Sequence, residues 1–136
     1  MADQRLWVVK GNSRELTHGS WFGDSRYRLT ATSLSMPGRF RLGAVVEAAV
    51  DSDGRLVVRR LVERSPYRST ATGLARREID SPALDALKAR VLAAGGQWEQ
   101  ILSGILIVHL PAGGDDPRRL VERSLGRPVP RSIRLG

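Results

Sequence analysis

Four arginines, Arg59, Arg60, Arg64 and Arg68, crowd a short stretch of the chain that also holds Tyr67, Ser69 and Thr70. Planar guanidinium forks match phosphate and carboxylate oxygens two at a time, hydroxyls add donors, and a tyrosine ring offers a stacking face. The segment is therefore the candidate site for an anion, either nucleic acid or a phosphate-bearing ligand. The same charges also serve a plainer purpose, because charged side chains along a strand edge block edge-to-edge pairing. The whole chain leans the same way. Its 136 residues carry a net charge of +8, and of the 22 basic side chains only Lys10 and Lys88 are lysine. GC-rich coding explains arginine in place of lysine, but not the excess over acids. Such an excess bears on partners and solubility rather than on fold.

Acid–base chemistry has fewer candidates. His18 lies in a polar segment near Trp21, with Glu15 and Asp24 close enough in sequence to orient it as a general base; a solvated loop imidazole is the plainer reading. Glu47 and Glu63 fall on adjacent predicted strands. Two facing carboxylates can share acid and base roles, but pairing with Arg59 or Arg64 is the ordinary cross-strand arrangement. His109 sits in the apolar run Ile105 to Leu110, on the face opposite Val108 and Leu110, as a hydrogen-bonded structural histidine or one facing a cleft.

The phosphate-loop, dinucleotide, zinc-protease and nucleophile-elbow motifs are absent. With two isolated histidines and no cysteine, no metal site is expected, and no cofactor is implied. Asp51-x-Asp53-Gly54 starts like a calcium loop, but Val62 stands where the bidentate glutamate would be needed, so a hairpin turn accounts for it. Trp21 and Phe22, in a Gly-rich segment, either form a partner surface or plug the end of a small barrel. Three functions remain in view. The first is a non-enzymatic module holding a protein or peptide, the second a nucleic-acid or phosphate binder, and the third a small enzyme using His18 or Glu63.

The elements that must position these residues are legible from periodicity and turn chemistry. Arg5 to Lys10, the alternating stretch around Tyr27 to Ala31, Leu42 to Val50 and Arg55 to Arg64 read as four strands of a small, open barrel-like half. Asp53-Gly54 closes a hairpin, and a bulge is expected near Arg59 and Arg60. A β-prone stretch from Thr70 follows. Ser81-Pro82 then caps a helix whose inward stripe is Leu84, Leu87, Val91 and Leu92, ended by Gly95-Gly96. Gln97 to Ile101 and Ile105 to Leu110 are strands, and Asp116-Pro117 opens a second helix inward at Leu120, Val121 and Leu125. Arg131 to Leu135 reads as a last edge strand. The expectation is an α+β protein, with residues 1–69 barrel-like and residues 70–136 a ferredoxin-like split βαβ half, packed as one unit. Arg127-Pro-Val-Pro-Arg131 is either an extended docking segment or a frayed end. With no signal-peptide pattern and no apolar run long enough to span a bilayer, a cytoplasmic location is expected.

The order of several short motifs resembles a bacterial family known as domain of unknown function 4265 (DUF4265). They are Tyr27-Arg-Leu29, Leu42-Gly-Ala-Val-Val-Glu-Ala48, Asp53-Gly-Arg-Leu56, Val62-Glu-Arg-Ser65 and Ser69-Thr70, then Leu84-x-x-Leu87, Gly95-Gly96, Trp98-Glu99 and Val108-x-Leu-Pro111. The resemblance covers about residues 20–112. It implies the two-part architecture and no activity. The chain departs from the family at Ala44, where an acidic residue is usual, and at Pro66-Tyr67-Arg68, where a small residue and a polar one, commonly histidine, precede Ser-Thr.

Overall fold

The computed structural model describes residues 3–130. The chain divides between Pro66 and Tyr67 into two compact units, each with its own sheet.

The first unit is a closed five-stranded barrel of β1 (Asp3–Lys10), β2 (Ser13–Gly23), β3 (Arg26–Leu29), β4 (Val45–Val50) and β5 (Leu56–Glu63). Neighbours along the chain pair antiparallel. An odd number of strands in an up-and-down order leaves the first and last running the same way. The closing pair is accordingly parallel, with Trp7 opposite Val57. Leu6, Val8, Leu29, Phe40, Ala44, Val46 and Ala48 fill the interior.

Two expectations about this unit are corrected. The barrel is closed rather than open, because β2 supplies a fifth strand from the segment that reads as a polar loop. The residues β2 turns inward are Thr17 and Gly19, while Leu16 faces out. The Thr17 hydroxyl donates to the Ala31 carbonyl at 3.2 Å. A Cβ on Gly19 would lie 2.8 Å from Leu6 Cδ1 and 3.1 Å from the Arg28 carbonyl oxygen, so a larger residue does not fit there. The aromatic that enters the barrel is Phe40, 6% exposed, whereas Trp21 and Phe22 are 43% and 47% exposed and plug nothing.

The Asp53-Gly54 turn forms as expected. Asp51 Oδ1 accepts from the backbone N–H groups of Asp53 and Arg55, both at 2.9 Å, and Gly54 takes φ +79°. The expected bulge is present as well. Glu47 pairs with Arg60 and Ala48 with Val58, leaving Arg59 as the extra residue.

The second unit runs β6 (Tyr67–Gly73), α1 (Pro82–Ala93), β7 (Gln97–Ile101), β8 (Ile105–Pro111) and α2 (Pro117–Leu125), with sheet order β6-β8-β7 and antiparallel pairing throughout. Both helices begin as their caps dictate. Ser81 Oγ accepts from Leu84 N at 3.1 Å, and Asp116 Oδ1 from Arg118 N at 3.0 Å, each followed by proline. Leu84, Leu87, Val91, Leu120 and Val121 pack with Leu106, Val108 and Leu110 from β8. Leu92, expected on the inward stripe, is 54% exposed. It lies one residue on from Val91, about 100° around the helix. Residues 127–130 are docked rather than frayed: Val129 is buried, its N–H bonded to Glu122 Oε2 at 2.9 Å. The proposed strand from Arg131 to Leu135 lies outside the described residues.

Candidate anion-binding site

Period-two alternation and the unit boundary disperse the arginine cluster. Arg60 pairs with Glu47 on the neighbouring strand at 3.0 Å. Arg59, the bulge residue, lines a shallow recess on the barrel with Trp7, Arg14, Asp51 and Arg55. Tyr67, Arg68, Ser69 and Thr70 belong to β6 in the second unit. There Arg68 approaches the α2 cap Asp116 at 3.9 Å. Tyr67 and Ser69 lie on one face of the sheet, Arg68 and Thr70 on the other. Of the predicted cluster, Arg64 alone reaches the larger cavity of the barrel.

That cavity has a volume of about 400 Å³ and is lined by Gly38, Arg39, Arg41, Leu61, Arg64 and Ser65. A structured connection between β3 and β4 builds one wall. Phe40 N and Arg39 N both donate to the Met36 carbonyl, at 2.9 and 3.1 Å, and Ser33 N donates to the Phe40 carbonyl at 2.8 Å. Phe40 anchors this turn in the barrel interior and leaves Arg39 and Arg41 on either side of it. Arg39 lies over the Phe40 ring, 5.5 Å from its centroid. The end of β5 forms the opposite wall, tied across by Ser65 Oγ donating to the Leu42 carbonyl at 2.7 Å. Arg41 is 8% exposed, and burial holds its pKa below the usual arginine value. It has an interaction partner of its own. Arg39 and Arg64 are exposed. No carboxylate stands among the described lining residues.

Sequence reasoning missed Arg39 and Arg41. The available signal was their i, i+2 spacing around an aromatic just after the Met36-Pro37-Gly38 turn, which fixes both relative to an anchored ring.

A second polar constellation crosses the three-stranded sheet. His109, fully buried on β8, faces Ser69 on β6, with Ser69 Oγ 2.6 Å from Nδ1. Its Nε2 lies 2.7 Å from Glu99 Oε2 on β7. The Tyr67 ring packs against the imidazole at 5.9 Å between centroids. Glu99 was not singled out in the sequence; a carboxylate on the strand paired with that of a buried histidine was the usable signal.

The other acid–base candidates are not assembled. His18 is half-buried on β2, opposite Arg5. Glu15 does not orient it, since its carboxylate accepts the Leu34 and Ser35 N–H groups at 3.0 and 2.7 Å. Glu63 is exposed at the end of β5, opposite Val45. Trp21 donates Nε1–H to the Asp24 carbonyl at 2.7 Å, and Arg28 lies over Phe22 at 5.5 Å. Among the described residues no helix is long and apolar enough to cross a membrane.

No protein-family model matches the chain, and no curated protein matches it. A solved structure described as a novel crystal structure of a hypothetical protein from Neisseria gonorrhoeae is similar. It has a TM-score of 0.62 and 18% identity, over 93% of this chain and 89% of that one. The likeness is one of fold: an α+β chain with a closed five-stranded barrel and a second, three-stranded sheet.

Proposed function

We propose that this protein is a binding module for a small phosphate-bearing ligand, held in the barrel cavity by Arg39, Arg41 and Arg64. The observation that carries this reading is the convergence of three guanidinium-bearing residues on one recess of about 400 Å³ with no described carboxylate in its lining. The volume lies within the range of small-molecule sites. Guanidinium forks bind phosphate oxygens in pairs, and Ser65 adds a hydroxyl. A net charge of +8 draws anions toward the surface. A confined recess suits a terminal phosphate better than a polymer, which needs a track of charges along its backbone.

A protein or peptide partner is the second reading, supported by the exposure of Trp21 and Phe22 side by side on the barrel. We also read the second unit as a ferredoxin-like split βαβ arrangement. The sheet order β6-β8-β7 and the interleaved helices support it. The ordered motifs from Tyr27 to Pro111 support a relationship to DUF4265.

Titration calorimetry with inorganic phosphate and with a nucleoside monophosphate tests the reading. Saturable binding is expected, weakening with added salt, and weakened at least tenfold in Arg39→Ala and in Arg64→Ala. Absence of binding to both probes at low salt rejects it. Tight binding of single-stranded nucleic acid with unchanged affinity in the two variants also rejects the cavity.

A further inference from the structure

Where β2, β1 and β5 lie side by side, the outward face of the barrel combines exposed apolar side chains with arginines. Leu6 and Val8 point into the core, so the alternate residues Trp7 and Val9 point out. Strand pairing sets Leu16 of β2 opposite Trp7 and Arg14 opposite Val9, with Val57 of β5 on the other side of Trp7. Val9 and Leu16 are exposed, and Trp7 is half-buried. Arg14, Arg55 and Arg59 line the recess around Trp7 and Val9, and all three are exposed. Among the described residues none of the three comes within salt-bridge distance of a carboxylate. The acid in the recess, Asp51, is committed through Oδ1 to the backbone N–H groups of Asp53 and Arg55 in the hairpin turn. Three guanidinium groups against that one carboxylate leave the recess positive. Arg55 lies over the Trp7 ring, 5.4 Å from its centroid. A guanidinium stacked in this way keeps the N–H donors in its own plane free for an oxygen acceptor.

We propose that this face docks an acidic segment of a partner protein, whose aliphatic side chains rest on Val9, Leu16 and Trp7 while its carboxylates meet Arg14, Arg55 and Arg59. Carboxylates match guanidinium forks two oxygens at a time. Tryptophan and arginine are the residue types that most often anchor protein interfaces. Nucleic acid is the poorer occupant. Its bases need open aromatic faces, whereas the Trp7 ring carries Arg55 and the exposed side chains beside it are aliphatic. Barrel closure limits how the segment can dock. Every strand is paired on both sides, so the segment cannot join the sheet as a further strand and must lie across the side chains. The face shares no lining residue with the cavity of Arg39, Arg41 and Arg64, so the two sites can be tested apart.

Fluorescence anisotropy on the full chain tests this with three labelled probes. One is a peptide in which glutamates alternate with leucines, the second the same peptide with serine in place of leucine, and the third an oligothymidylate. The glutamate–leucine peptide should bind saturably at low salt, about tenfold more tightly than the serine peptide. The double variant Arg14→Glu, Arg59→Glu changes two exposed positions, so it should keep the wild-type thermal transition. It should bind the glutamate–leucine peptide at least about tenfold more weakly, because like charges now face each other. Val9→Ser with Leu16→Ser should remove the preference for leucine. Arg39→Ala with Arg64→Ala should leave the affinity unchanged.

Absence of saturable binding of the glutamate–leucine peptide to the wild type overturns the proposal, and that outcome needs no variant to fold. Binding that neither pair of face variants alters, or that responds to Arg39→Ala, Arg64→Ala instead, also overturns it. So does an oligothymidylate that binds more tightly than the peptide and is released by Arg14→Glu, Arg59→Glu, which gives the face to single-stranded nucleic acid.

Discussion

Arg127 grips Glu78 with two prongs, Nε to Oε2 at 2.7 Å and Nη2 to Oε1 at 2.8 Å. The same guanidinium reaches the Gly73 carbonyl at 2.8 Å, and Glu78 Oε1 also accepts Ala75 N–H at 2.7 Å. One ion pair thereby ties the segment after α2 to the connection between β6 and α1. The hydrogen bond from Arg127 holds the Glu78 carboxyl below its ordinary pKa, and the same bond raises that of Arg127.

A carboxyl with a depressed folded-state pKa adds stability above its unfolded value and loses it as pH falls through the folded one. Acid unfolding should therefore show a component below about pH 4 that is missing in Glu78→Gln. Arg127→Ala should cost about 2–3 kcal/mol near neutral pH. That is below the full penalty for a stranded buried charge, because the Glu78 carboxylate left behind still accepts the Ala75 N–H. Urea unfolding of both proteins from pH 3 to pH 7 measures both effects.

Two glycines of the second unit should respond oppositely to alanine. A Cβ on Gly96 would overlap the His109 carbonyl oxygen and lie 2.9 Å from Leu110 Cδ2. The backbone of β8 cannot retreat without disturbing the sheet, so Gly96→Ala should cost about 3 kcal/mol or more. Gly73 has nothing within 4 Å of a built Cβ and no left-handed φ. Gly73→Ala should be neutral or stabilise by about 0.5 kcal/mol. Thermal melts of the pair give the comparison.

Leu102 spends energy on its backbone. It has φ +52° in the β7–β8 turn while its side chain is 88% exposed, so it packs against little in return. Leu102→Asn, a residue that tolerates this conformation, should raise stability by about 0.5–1 kcal/mol. A fall in the melting temperature would refute this.

The barrel cavity predicts a thermal signature. A ligand that binds only the folded chain stabilises it by mass action, about 2.7 kcal/mol at a hundred times its Kd. Phosphate or a nucleoside monophosphate should raise the melting temperature of the wild type in a concentration-dependent manner. The double variant Arg39→Ala, Arg64→Ala should lose that shift while melting near the unliganded wild type, since both side chains are exposed.

Most of the scaffold was legible because its signals are local. The two helix caps, the Asp53-Gly54 turn and the bulge at Arg59 depend on neighbours within a few residues. β2 was not legible because the signal is inverted there: Thr17 and Gly19 point inward and Leu16, Trp21 and Phe22 outward, so hydropathy describes a polar loop. The arginine cluster was compact in sequence only. A strand places alternate residues on opposite faces, and the chain passes into a second unit at Tyr67, so Arg60, Arg64 and Arg68 acquire three separate settings. Arg39 and Arg41 join Arg64 because the start of β4 pairs with the end of β5, Val45 opposite Glu63, and Glu99 joins Ser69 through pairing of both strands with β8. Both are long-range relations that no short window contains.

The parallel contact between Trp7 and Val57 completes the barrel with the longest excursion along the chain of any pairing in it. Hairpins zip from their turns quickly, whereas this seam must wait for both ends of the first unit to meet. Folding of the barrel should therefore finish at the seam. Once shut, the seam leaves the described barrel without an edge strand for a neighbouring chain to extend. Parting β1 from β5 would expose two such edges at once, making that junction the place where association between partly opened molecules would begin.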